Sequence, residues 1–137
     1  MDTFSTEQRS WVMRQVKGKN TKPERVVRKI LWDAGYRYRL NVKSLPGTPD
    51  IAIKKLKKVI FVNGCFWHGH KNCSKAKIPK TRIEYWQAKI ARNIERDKQN
   101  IQNLEQLGYD VLVVWECEIK RKSIDMLTSK LIDFMIK

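Results

Sequence analysis

The sequence predicts a small α/β domain built on a mixed sheet, and three observations carry that prediction. Val59–Asn63 and Asp110–Trp115 are β-branched apolar runs of strand length, the pattern of buried strands. Three other stretches place apolar residues at helical spacing behind recognisable start and stop signals. Between them, Leu45-Pro46-Gly47-Thr48-Pro49 can continue neither regular element and must turn.

The first helix is expected to open at Thr21-Lys22-Pro23-Glu24, with Thr21 as cap, Pro23 in the first turn and Glu24 closing a capping box. Val26, Val27, Ile30, Leu31 and Ala34 form its apolar stripe, and Gly35 suits the position after its end. By these signals alone Glu24 is a cap. Tyr36–Leu40 alternates like a strand. Asp50–Ile53 follows as another, Lys54–Lys58 is a basic turn, and Val59–Asn63 completes a hairpin. In an antiparallel pair this sets Asp50 across from Val62-Asn63, at one end of the sheet. Thr81-Arg82-Ile83-Glu84 reads as a second capping box, opening a long helix that stops at Gly108. Trp86, Ile90, Ile94, Ile101 and Leu104 form its apolar face. After the strand Asp110–Trp115, Ser123 is expected to cap a last helix through Leu127, Leu131 and Met135.

A chain of 137 residues with 42% hydrophobic residues is sized for one domain with its own core. The expected division is a basic N-terminal arm over 1–20 and a single domain over 21–137. Trp11, Val12 and Val16 give the arm rough helical spacing. It either lies along a polyanion or packs on the domain surface. No apolar run nears the roughly 18 residues of a membrane span, and the first residues lack a signal-peptide core. The expected location is therefore the cytoplasm, at the nucleoid. There thiols stay reduced, and three cysteines are metal ligands more often than disulfides. With 29 Lys+Arg against 14 Asp+Glu, the net charge of +15 favours a nucleic acid over a membrane as partner.

The stretch after Val62 concentrates the chemistry. Residues 65–73 hold two cysteines, two histidines and two large aromatics. Cys65, His70 and Cys73, joined by Cys117 beyond the second core strand, make a Cys3His set suited to closed, structural zinc. The alternative is three unconnected core thiols. His68, left outside that set, is a candidate general acid/base. Asp50 could hold magnesium, which takes one or two carboxylates and leaves the rest of its octahedron to phosphate and water. Phe66, Trp67 and Trp86 are either core or wedges that enter a base stack.

Taken together, these residues resemble the very-short-patch repair (Vsr) DNA mismatch endonucleases. The resemblance runs from about Arg9 to Glu118. It is carried by Met13-Arg14, by Thr21 with Pro23-Glu24, by Leu45-Pro46-Gly47-Thr48-Pro49-Asp50, and by Gly64-Cys65-Phe66-Trp67-His68-Gly69-His70. Pro79-Lys80-Thr81-Arg82, Arg96-Asp97 and Val114-Trp115-Glu116-Cys117-Glu118 extend it. It implies a restriction-endonuclease-like fold of the PD-(D/E)xK type and a magnesium-dependent enzyme. The implied enzyme nicks double-stranded DNA 5′ to the T of a T:G mismatch left by 5-methylcytosine deamination, acting as a monomer.

Carried over, Asp50 holds magnesium with the Val62 backbone carbonyl, and Glu24 supports the surrounding water. His68 acts beside the scissile phosphate, oriented by Asp97. Cys65, His70, Cys73 and Cys117 hold zinc. Phe66, Trp67 and Trp86 intercalate from one groove, and Met13 approaches from the other. Two departures bear on this. Val62-Asn63 stands where members of the family carry Thr-His, so Asn63 receives no catalytic role. The Asp/Glu-x-Lys half of the general nuclease signature is also absent, which leaves the lysine's task to His68. The competing expectations are a nuclease of the same fold for matched or modified DNA, and a zinc-stabilised DNA-binding protein without catalysis.

Overall fold

The computed structural model describes residues 21–137; the arm expected over 1–20, including Met13, lies outside them. In chain order the described elements are α1 (Lys22–Asp33), β1 (Arg39–Leu40), β2 (Ile51–Ile53), β3 (Lys58–Asn63), α2 (Ile83–Gln106), β4 (Asp110–Trp115) and α3 (Ile124–Ile136). Short 3-10 turns occupy Ser74–Ala76, Glu116–Glu118 and Arg121–Ser123. The four strands form one mixed sheet in the order β1-β2-β3-β4. The pairings β1–β2 and β2–β3 are antiparallel, and β3–β4 is parallel with α2 as the crossover.

Alternate strand residues point to opposite faces, and each face is covered. On one side Ile51, Ile53, Ile60 and Val114 pack with Val27 and Leu31 of α1 and with Leu127, Leu131, Phe134 and Met135 of α3. On the other, Ala52 and Val59 pack with Leu104 of α2, flanked by Phe61, Tyr109 and Val111. Burial on both faces is why β3 and β4 read as continuous apolar runs instead of alternating ones. Each fully buried Leu or Val is worth about 1.5–3 kcal/mol relative to exposure.

Several expectations hold at the level of single contacts. The Glu24 amide donates to Thr21 Oγ1 at 3.4 Å, and a proline occupies the first turn of α1. Gly35 (φ +95°) and Gly108 (φ +87°) follow the ends of α1 and α2 in the left-handed region, as helix-ending glycines do. Other expectations are corrected. The strand expected over Tyr36–Leu40 is only Arg39–Leu40. Thr81 does not open a capping box, because Arg82 sits at φ 58°, ψ 43° at the N-cap of α2 and no side chain caps that end. Ser123 does not cap α3 either. Its hydroxyl donates to the carbonyls of Glu118 (3.2 Å) and Lys120 (3.4 Å), tying down the preceding turn instead. Lys58 leaves the basic turn to begin β3. Its side chain is buried, with Nζ 3.3 Å from Asp110 Oδ2 and over the Phe134 ring.

Candidate active site

The hairpin and the two flanking helices converge at one end of the sheet. Asp50, just before β2, accepts a hydrogen bond from the Val62 amide through Oδ2 at 2.7 Å, so a side chain extends the β2–β3 ladder by one rung. The register that pairs Ile51 with Ile60, carried one residue further, sets Asp50 opposite Phe61 and not opposite the expected Val62-Asn63, and the carboxylate spans the difference to the Val62 amide. Glu24, from the first turn of α1, is buried at 6% exposure and lines the same cleft. Its carboxyl hydrogen-bonds that of Asp50. The capping signal and the site therefore meet in one residue, the backbone amide serving the cap and the carboxyl facing the cleft. Burial raises the Asp50 pKa to about 6; the Val62 amide opposes that rise, and the Glu24 carboxyl adds to it. Two carboxyls crowded together while partly removed from water are poised to accept a cation, which would offset both costs.

Facing them, His68 Nδ1 lies 2.5 Å from Asp97 Oδ2, with both side chains about one quarter exposed. A carboxylate on Nδ1 sets the tautomer and leaves Nε2 for a proton transfer. The cleft these groups share has a volume of about 440 Å³, and Asn41, Thr48, Asn63, Arg96 and Asn100 complete much of its wall. Among the described lining residues Arg96 is the only Lys or Arg. A second cleft of about 420 Å³ shares Glu24, Val62, Asn63 and His68 with the first and continues past Pro23, Phe66 and Trp67 to Glu116.

The loop after β3 folds tightly, with the His70 amide donating to the Cys65 carbonyl at 3.0 Å and Gly69 at φ +61°. That turn sends Cys65 and His70 to one site and the three residues Phe66, Trp67 and His68 between them to another. Cys65 and His70 meet Cys73 and Cys117, all four donor atoms lying within 4.8 Å of one another. His70 Nδ1 is 3.4 Å from Cys117 Sγ, and its ring stacks on Trp115 with centroids 4.1 Å apart. The thiols are thus not unconnected core residues. Burial pushes the Cys65 thiol up to about 12, a cost that a thiophilic cation would remove by binding the thiolate. Three sulfurs and one imidazole at this spacing fit a four-coordinate soft or borderline metal ion.

Phe66, Trp67 and Trp86 also come together, with centroid separations of 5.1, 5.3 and 5.8 Å and edge-to-face geometry throughout. They belong to neither core cluster and are half-buried, which sets aside the reading of them as core. Two residues absent from the sequence-based assignment join the group: Tyr85, 5.0 Å from Trp86, and Arg82, whose guanidinium lies 4.5 Å above the Tyr85 ring. The signal for Tyr85 was its place beside Trp86 in the first turn of α2. Arg96 and Asn100 were likewise unassigned; their i, i+4 spacing puts them on one face of α2.

Comparison with known proteins agrees with this arrangement. The chain is 50% identical over 123 residues to the type II nicking enzyme V.NmeAIP of Neisseria meningitidis serogroup A, covering 90% of this chain and 87% of that protein. It is 48% identical over 118 residues to the type II nicking enzyme V.XorIIP of Xanthomonas oryzae pv. oryzae, covering 86% of each. To the DNA mismatch endonuclease Vsr of Escherichia coli it is 40% identical over 119 residues, 87% of this chain and 76% of that one. The sequence profile of the family described as DNA mismatch endonuclease Vsr matches residues 1–75. On this match and these identities, the chain belongs to the DNA mismatch endonuclease Vsr family.

Proposed function

We propose that this protein nicks double-stranded DNA 5′ to the T of a T:G mismatch by magnesium-dependent hydrolysis of one phosphodiester. The observation that carries this reading is the pairing, across one cleft, of the Asp50–Glu24 carboxyls with the His68–Asp97 couple. Magnesium, held by Asp50 and the Val62 carbonyl, would supply Lewis acidity toward the phosphate. Glu24 orients water on the same wall. Asp97 keeps the His68 ring in register, and Nε2 handles the proton that must move as the water–phosphorus bond forms and the phosphorus–sugar oxygen bond breaks. Arg96 offers the developing negative charge a guanidinium partner. The Cys65, His70, Cys73, Cys117 set holds zinc and keeps the loop bearing His68 rigid.

The cluster of Phe66, Trp67 and Trp86 supports mismatch selection. Wedging between base steps costs a few kcal/mol, and least where pairing is already poor. The net charge of +15 supports a polyanionic substrate. We read residues 21–137 as one catalytic unit of the PD-(D/E)xK type, acting as a monomer. The test is a magnesium-dependent nicking assay on end-labelled duplexes, one with a T:G mismatch in several cytosine-methyltransferase contexts and one fully matched. A single nick beside the mismatched T, abolished by chelator, is expected. Equal cutting of both duplexes would shift the substrate to matched DNA, and tight binding without cleavage would make the protein a binder.

A further inference from the structure

Besides its carboxyls, its imidazole and Arg96, the cleft at Asp50 is lined by three neutral polar side chains that the proposed reaction leaves unused: Asn41, Thr48 and Asn100. Among the described residues none of these three side chains has a hydrogen-bond partner, and no buried side-chain polar atom lacks one. Their amides and hydroxyl therefore open into the cleft. The backbone beneath them is held in place. Leu45-Pro46-Gly47-Thr48 is a closed turn, with the Thr48 amide donating to the Leu45 carbonyl at 3.1 Å and Gly47 at φ +77°. A Cβ on Gly47 would lie 3.0 Å from Asn100 of α2, so the turn rests on that side chain. Thr48 follows at φ +48°, a left-handed backbone that a β-branched residue adopts only where its surroundings impose it. Asn41 shares that φ, and its backbone amide donates to the Asp50 carbonyl at 3.1 Å.

We propose that Asn41, Thr48 and Asn100 form a subsite for the phosphodiester next to the scissile one in the nicked strand. This rests on the proposed nicking function and deepens it: Asp50 takes the phosphate that is cut, and this wall takes its neighbour. Phosphate oxygens accept hydrogen bonds from amide and hydroxyl side chains, and such contacts fix the register of a protein on a duplex without reading its sequence. The spacing is of the right scale. Asn100 follows Asp97 by three residues, about 4.5 Å of helix rise, and successive phosphates of one strand step about 3.4 Å along the duplex axis. Neutral donors suit the place, because they hold a phosphate without adding another positive charge beside the magnesium. Register on the strand then decides which bond reaches the metal, and the strained Thr48 backbone keeps its hydroxyl on that wall before DNA arrives.

The experiment scans T:G duplexes in which one phosphate at a time along the T-bearing strand is replaced by an uncharged methylphosphonate. Kd is measured with calcium in place of magnesium, so that binding is read without cleavage, for wild type, Thr48→Val, Thr48→Ser and Asn100→Ala. Wild type should lose about tenfold in affinity at the phosphate this wall holds, the lower end for hydrogen bonds to a charged group. Thr48→Val and Asn100→Ala should bind the unmodified duplex about three- to tenfold more weakly. At that one phosphate they should lose no more than about twofold further, while keeping the wild-type losses at every other position. Thr48→Ser, which keeps the hydroxyl, should stay within about twofold of wild type. Tm is read on the same preparations. If Thr48→Val does not fold, Thr48→Gly, which removes the hydroxyl and relieves the left-handed backbone, takes its place. A wild-type scan with no sensitive phosphate beside the scissile one overturns the proposal. So do variants with unchanged Kd, or methylphosphonate losses that simply add to a variant's own. If wild type nicks no duplex with magnesium, the proposed function fails, and the scan, which uses binding alone, still decides whether this wall holds a phosphate.

Discussion

One loop, residues 64–73, serves two sites that differ in almost every physical respect. On one side Cys65 and His70 join a four-donor set made of sulfur and imidazole, with its atoms within 4.8 Å of each other and Cys65 fully buried. On the other, His68 faces a cleft of about 440 Å³ whose donors are carboxylates, amides and a guanidinium. The first set can close a tetrahedron with nothing left over, which is the geometry of a structural ion. The second has hard donors and open space, which is what a hydrated divalent ion and a phosphate require. Under the proposed function, the closed site would hold the backbone while residues between its ligands reach the open one.

Breaking the open site has the largest expected effect. Asp50→Ala should abolish nicking, by about 10³-fold or more, which is the several kcal/mol that metal-ion catalysis contributes. His68→Ala should lower single-turnover nicking by about 10²–10⁴-fold, the range for a positioned acid or base. Zinc content and the far-ultraviolet circular dichroism should be unchanged in both. A His68→Ala protein that nicks at near-normal rate would remove His68 from the chemistry.

Breaking the closed site should act on stability first. Cys117→Ser, or prolonged chelation, is expected to release one equivalent of zinc and lower Tm by roughly 10–20 °C. Activity should then decline because the fold does, and purified protein with no stoichiometric zinc would refute the assignment. Asp97→Asn is predicted to cost about 10–100-fold in nicking, with Kd for DNA unchanged, because an amide cannot hold the same imidazole tautomer as a carboxylate.

The smallest effect follows from the raised pKa of Asp50. A carboxyl that titrates at about 6 when folded binds its proton more tightly than in the unfolded chain. The metal-free protein therefore loses stability as pH rises from the ordinary carboxylate range towards 6, by on the order of 2–3 kcal/mol at most. The proton also competes with the metal ion. Apparent magnesium affinity should fall about tenfold per pH unit below about 6, as a magnesium titration of nicking at three pH values would show.

Local signals in the sequence were sufficient wherever the deciding physics was local. The continuous apolar run of β3 specified a buried strand, Gly35 and Gly108 marked the helix ends, and the hairpin brought the Asp50 carboxylate within reach of the Val62 amide. The donor types around residues 65–73 also indicated a metal cluster without any coordinates. Local signals misled where a distant contact or a single backbone angle outweighed them. Arg82 in the left-handed region denies Thr81 its cap, and the Ser123 hydroxyl is engaged by carbonyls of the preceding turn. Local signals read Glu24 only as half of a cap; its carboxyl shares a cleft with Asp50 in the tertiary structure, as the family resemblance implied. Tertiary structure alone brought Asn93 to the Trp67 carbonyl, 26 residues away, whereas the meeting of Cys117 with His70, 47 residues away, was already indicated by their donor types. The reason is physical: a periodic pattern reports which face a residue presents, but a contact across such separations exists only once the helices have packed on the sheet.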